Sequence, residues 1–174
     1  MPPTRRALLA AAPVAALATT ASARSGAAPA VMVSTWDFGE AANSAGWRAR
    51  QAGGSALDMV EAGGRVAEAD ESNSSVGLGG MPDRDGHVTL DACIMSWNGD
   101  IGAVCAMEDI VYAVSVARAV MEKTPHTMLA GPGARAFAID QGHEPVNLLT
   151  TRAEAAWREW LITAEYAPRV NSEN

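Results

Sequence analysis

Cysteine and histidine are scarce in this chain, with two cysteines and three histidines in 174 residues. Two cysteines, Cys93 and Cys105, are too few for a disulfide scaffold or a Cys-rich zinc site. His87, His126 and His143 lie far apart without ligand spacing, so each reads as a surface or helix-end residue and no metal is expected. Basic charge is also short: 13 Lys and Arg against 20 Asp and Glu give a net charge of -7 and a pI near 4.9. Such a chain lacks the basic face that neutralises phosphates, which argues against a nucleic-acid binder. No apolar run reaches the roughly 18–20 residues needed to cross a bilayer, so no membrane anchor is expected. Gly-x-Ser-x-Gly, the Gly-x-x-x-x-Gly-Lys phosphate loop and His-Glu-x-x-His are all missing. What is present is 48% hydrophobic and 19% charged sequence with a mean hydropathy of zero. That composition fits a globular fold, and the length fits one domain or a piece of one.

Residues 1–23 have the layout of a cleavable export signal. Arg5 and Arg6 precede an Ala/Leu-rich stretch at 7–18, and small residues at 21–23 suit a signal peptidase. TRRALL at 4–9 points to the twin-arginine route; a disordered Ala-rich tail is the alternative. Its removal would leave a charge of -9 on the remainder, which repels anionic membranes and nucleic acids. Export would place Cys93 and Cys105 in an oxidising compartment, where two buried free thiols are the default and pairing stays open.

Residues 24–29 read as a linker, and AVMVS at 30–34 as a buried strand. A helix is expected over 40–51, closed by Gly53-Gly54. Ser55 is the N-cap of a second helix with Ala56, Val60, Val66 and Ala67 inward and Glu61, Arg65 and Glu68 in water. Gly63-Gly64 weakens that helix. Glu68, Asp70 and Glu71 read as a solvated helix end, with a catalytic carboxylate as the alternative. Residues 70–85 are loop-like. Strands over 87–95 and 101–107 flank Asn98-Gly99 as a hairpin, and their continuous apolar runs predict a sheet covered on both faces. Three helices follow: 113–123 ended by Pro125, 133–141, and one capped by Thr150 or Thr151. The last runs to about Tyr166, with Trp157, Trp160 and Leu161 on one stripe.

The most unusual local feature is SVGLGG at 75–80. Its glycines allow positive φ and close approach of amides to a ligand or another backbone, with tight-turn packing the simpler reading. Trp36, just beyond the first strand, is either a core lid or a ligand-side residue at a strand end.

Ordered blocks then carry a resemblance: STWDFG at 34–39, ALD at 56–58, SVGLGG at 75–80, PDRDG at 82–86, LDACIM at 90–95, VARAVMEKTPH at 116–126 and WREW at 157–160. Together they resemble glycosylasparaginase, of the N-terminal-nucleophile hydrolases, more distantly related to plant-type asparaginases and isoaspartyl peptidases. Two departures are Cys93 within the LDACIM strand and Ser96-Trp97 in place of the usual Asp after Met95.

The resemblance implies an α+β fold, an αββα layered sandwich, of which 30–174 would be the α-chain half. It implies self-cleavage at an Asp-Thr bond and a freed Thr that attacks the side-chain amide of an asparagine glycoside. The chain ends in VNSEN at 170–174, where that junction is expected to begin. The Thr-bearing β-chain half is therefore an expected partner, with a homo-oligomer when complete and no cofactor. No catalytic residue is expected here, since Thr124, Thr150 and Thr151 are internal. Trp36 is expected to wall the substrate pocket, supported by Phe38, with Ser75, Gly77, Gly79 and Gly80 beneath the nucleophile strand. A plant-type asparaginase or isoaspartyl peptidase, and a non-catalytic remnant, are the alternatives. A half-sandwich exposes an apolar sheet face, so the isolated chain is expected to aggregate or stay partly molten.

Overall fold

The computed structural model describes residues 30–164, and those from Val31 on belong to one compact unit. The export signal, the linker at 24–29, Tyr166 and the last residues lie outside the described part. The elements run α1 (Gly39–Gln51), α2 (Ala56–Ala69), β1 (Thr89–Met95), β2 (Ile101–Glu108), α3 (Ala113–Lys123), β3 (Met128–Ala130), α4 (Gly131–Asp140) and α5 (Thr151–Thr163). The chain is α+β.

The sheet is ordered β1-β2-β3, antiparallel between β1 and β2 and parallel between β2 and β3. The hairpin closes through Ser96–Asp100: the Ser96 amide donates to the Asp100 carbonyl at 2.9 Å. Gly99 there takes φ 91°, a conformation that suits glycine. β3 was not expected; three residues carry too little pattern, and parallel pairing needs the α3 crossover to be seen. Leu90↔Met107 is followed by Ala92↔Val104, so a bulge opposes Asp91 to two residues of β2. Ala106 turns to φ 49° there. The Asp91 carboxylate accepts its freed amide at 2.7 Å.

Leu90, Ile94, Val104 and Met107 meet Val116, Ala117 and Val120 of α3 and Ala134 and Ala138 of α4 in one core. Val104, Met107, Val116 and Val120 are at most 1% exposed, each worth about 1.5–3 kcal/mol over the exposed state. Gly102 lets α3 close on β2, since a Cβ there would stand 2.0 Å from the Ala117 carbonyl oxygen.

Several expectations are corrected. The sheet is covered on one face only among the described residues: Asp91, Cys93, Met95, Ile101 and Met128 are exposed. The apolar character of Cys93, Met95, Ile101 and Met128 belongs to a face with no neighbour among the described residues rather than to two helical layers. Cys93 is a free, exposed thiol and Cys105 a free, half-exposed one, not buried. Residues 30–34 form no strand among the described residues: Val31 and Val33 are open to solvent, and an apolar run without a neighbouring strand has no ladder to join. The α5 stripe is only partly covered: Trp157 is half-buried against Gly86 and its indole N–H donates to the Arg84 carbonyl at 3.2 Å, while Trp160 and Leu161 are exposed.

In α2 the inward residues are Met59, Gly63, Ala67 and Glu68, not Ala56 and Val60. The helix lies between α1 and α3, so its buried arc is shifted and broad. Gly46 of α1 and Gly63 of α2 mark the crossing: a Cβ on Gly46 would lie 2.8 Å from the Met59 carbonyl oxygen. The glycine that weakens the helix in isolation is what lets it pack. Ser55 caps as expected, within a capping box closed by Asp58. Asp58 is held down to about pKa 2 by Arg118, which reaches it at 2.6 Å, and by Ser55.

Candidate active site around Trp36

A bend brings the aromatic pair into place ahead of α1. The Gly39 amide donates to the Trp36 carbonyl at 2.8 Å, and the Phe38 amide to the Asp37 carboxylate at 2.9 Å. Gly39 permits the bend, because a Cβ would fall 2.5 Å from Cβ of Ser34. Trp36 and Phe38 stack with centroids 6.4 Å apart and planes 12° apart. Trp36 is 67% exposed, so it is no core lid.

Opposite the pair runs the loop after α2. Asp70 accepts from the Ser72 amide at 2.8 Å and hydroxyl at 2.6 Å, and these bonds hold its carboxyl below the usual range. Asn73 accepts from the Ser75 amide at 2.9 Å and donates to the Ala67 carbonyl. Each short polar side chain thus serves its own backbone, which fixes the loop without apolar packing. Thr35, Trp36, Asp37 and Phe38 with Asp70 and residues 72–75 enclose a cleft of about 710 Å³. Trp36, Phe38 and Ser75 all line this cleft.

Gly77, Gly79 and Gly80 are buried behind the rim rather than in the cleft. Gly77 at φ 68° presses on the end of α2, where a Cβ would lie 2.0 Å from the Glu68 carbonyl oxygen. The Leu78 amide donates to that same oxygen at 2.8 Å. The Gly79 amide donates to Leu148, and Arg152 reaches the Gly79 and Glu71 carbonyls. These glycines do the tight-turn packing.

Glu68 contradicts the solvated helix end. It is 7% exposed, and one carboxyl oxygen accepts from the Val114 amide at 2.8 Å. Its other oxygen has no partner among the described residues. Burial pushes its pKa up to about 8, so at neutral pH it is an uncharged acid tying α2 to the start of α3. Sequence reasoning also passed over Asp37, Ser72, Asn73 and Ser74 as cleft residues. The density of Asp, Asn and Ser around 70–75 signalled a loop, but not which side of it met Trp36.

Chemically, the cleft offers an aromatic wall, hydroxyls and carboxylates, with no Lys, Arg, His or Cys in its lining. It can seat a polar group, and its one hydroxyl–carboxylate contact, Ser72 to Asp70, pairs the hydroxyl with a carboxylate held below its usual pKa, a poor base. Among the described residues no cluster of His, Cys, Asp and Glu could hold a metal, and no helix is long and apolar enough to cross a membrane.

A family model described as asparaginase matches residues 14–173. The chain belongs to the asparaginase family. It is 56% identical over 144 residues to an N(4)-(beta-N-acetylglucosaminyl)-L-asparaginase of Elizabethkingia miricola, covering 83% of this chain and 42% of that protein. The protein of that name from Rattus norvegicus is 42% identical over 132 residues, 75% of this chain and 38% of its own length. A probable isoaspartyl peptidase/L-asparaginase of Arabidopsis thaliana is 40% identical over 132 residues, 75% of this chain and 36% of its own. The chain thus spans about two-fifths of the length of the curated relatives it matches. The family match spans the blocks that carry the resemblance, Trp36 and the glycine loop included.

Proposed function

We propose that this chain is the α-chain part of an amidohydrolase that cleaves N4-(β-N-acetylglucosaminyl)-L-asparagine to aspartate and the glycosylamine. The observation that carries this is the cleft between Trp36, Phe38 and the 70–75 loop, in a chain whose relatives bear that activity in their names. The uncharged amide would lie against the Trp36 wall, and the carboxylates of Asp37 and Asp70 would favour the side carrying the substrate's α-amine.

The attacking group is a Thr on a segment outside these 174 residues, freed by autoproteolysis. Internal threonines have no free α-amine, and two of their hydroxyls are engaged: that of Thr124 donates to the Val120 carbonyl, and that of Thr150 accepts from the Ala153 amide as the cap of α5. The Thr hydroxyl adds to the amide carbonyl while the Thr amine takes its proton. The glycosylamine leaves protonated, and water hydrolyses the ester to release aspartate. Cations for the substrate carboxylate come from the same outside segment, since the cleft lining has none. In this reading the open face of the sheet packs on that segment's sheet to complete an αββα sandwich. The protein is exported through residues 1–23, and the complete assembly is a homo-oligomer.

The chain is assayed alone and refolded with the Thr-bearing remainder of the Elizabethkingia relative. Aspartate release only in the mixture is the expected result, and turnover by the chain alone would overturn it. The Arabidopsis relative's name favours a second reading, isoaspartyl peptidase, which a preference of the mixture for β-aspartyl dipeptides would support.

A further inference from the structure

A separate cleft of about 560 Å³ lies between α5 and the loop at 81–85, and it shares no lining residue with the cleft at Trp36. Trp157 and Trp160 line it from the helix; Met81, Pro82 and the charged run at 83–85 line it from the loop. Three residues apart, the two tryptophans share one helix face. Trp157 is set in place before any ligand arrives. Its indole N–H donates to the Arg84 carbonyl at 3.2 Å. Gly86, at φ 93°, lies against its ring, where a Cβ would stand 2.9 Å from Cη2. Trp160 is 44% exposed, so its ring is accessible from the cleft.

The polar groups of this cleft are charged, but their hydrogen bonds are largely spent. Asp83 accepts from the Asp85 and His87 amides at 2.9 Å each. The His87 bond in particular holds its carboxyl below the usual range, so it stays ionised. Asp85 turns both oxygens to Arg84, at 3.3 and 3.4 Å. Arg158, 5.7 Å from the centre of the Trp157 ring, is paired with Glu154 at 2.6 Å. The two cations are thus matched by Asp85 and Glu154, and the charge of Asp83 is left in excess. An anion would meet this excess unfavourably. A ligand that needs directional hydrogen bonds would find few partners. What the cleft offers is aromatic surface beside a negative charge, which suits a cation that has no N–H to satisfy.

We propose that the cleft between α5 and the 81–85 loop binds a quaternary ammonium group, its methyl shell against Trp157 and Trp160 and its charge beside Asp83. The site is independent of the amidohydrolase reading and of the segment that carries the Thr.

The full 174-residue chain is titrated with choline and with neohexanol, its uncharged isostere, and followed by tryptophan fluorescence. Choline is expected to bind with a Kd on the order of a millimolar, and the alcohol about tenfold more weakly. Trp160→Ala should weaken choline binding about tenfold with the circular dichroism unchanged, and Trp160→Phe should weaken it less. Asp83→Asn keeps an oxygen for the two amides and should remove the preference for choline over the alcohol. Equal affinities for the two ligands, no saturation by choline, or unchanged choline binding in Trp160→Ala would overturn the inference. Choline binding lost in a complex with the Thr-bearing remainder of the Elizabethkingia relative would assign the cleft to that segment and overturn it as well. These titrations turn over no amide, so the inference and the proposed function fail separately.

Discussion

The two faces of the sheet are built to different standards. On one, Leu90, Ile94, Val104 and Met107 disappear beneath α3 and α4. On the other, Cys93, Met95, Ile101 and Met128 stand in solvent, and Cys93 and Met128 border a shallow concavity of about 300 Å³. Both faces are apolar in sequence, yet only one has found its neighbours. An isolated domain rarely leaves a contiguous apolar sheet face open, and the relatives are more than twice as long as the segment matched. In the proposed reading, the difference is that between a finished core and one face of an unfinished core.

The largest effect should follow from disturbing the covered face. Gly102→Ala forces a methyl against the Ala117 carbonyl and the Met121 side chain. A loss on the order of 3 kcal/mol is expected from such overpacking, read as a lowered urea midpoint; an unchanged midpoint would mean that α3 is not seated on β2 as described.

Next in size is the buried acid between α2 and α3. The Glu68 pKa rises from 4.5 to about 8 because burial disfavours its charge. Between those values the folded state holds a proton that the unfolded state has released. This contribution is therefore fully present below pH 4.5 and is lost as pH climbs through about 8. The slope is at most about 1.4 kcal/mol per pH unit. Glu68→Gln, which keeps the acceptor for the Val114 amide, should flatten that part of the stability profile. Parallel profiles for the two proteins would show that Glu68 does not titrate this way.

The open face should respond in the opposite sense. Met95→Gln and Met128→Gln remove exposed apolar surface without opening a cavity, so stability should change by no more than about 0.5 kcal/mol. Self-association of the isolated chain, measured by light scattering, should fall. Destabilisation comparable to that of Gly102→Ala would mean that this face is already packed.

The same contrast explains what could be read in advance. Ser55 with Asp58, the Asn98-Gly99 hairpin and the Pro125 stop are local signals, and each produced the expected element. What depended on distant neighbours could not be read that way. Residues 30–34 have strand composition, but among the described residues no ladder to join. β3 is too short to announce itself, and Glu68 reads as a surface residue until α3 covers it. At the site, Trp36, Phe38 and Ser75 came from the resemblance and do converge on one cleft, whereas Asp37 and residues 72–74 needed the loop's course to be known. Gly63, a weakness by propensity, proved to be a helix crossing.

The central claim is that the open face is the inside of a larger catalytic domain, and Cys93 reports on it directly. Its thiol is exposed on β1 in the chain alone and should react with a maleimide at the rate of an unprotected cysteine. After refolding with the Thr-bearing remainder of the Elizabethkingia relative, labelling should slow by about a hundredfold or more, as expected when access needs an opening that costs about 3 kcal/mol. Equal labelling rates in a mixture that has formed a complex would contradict the account.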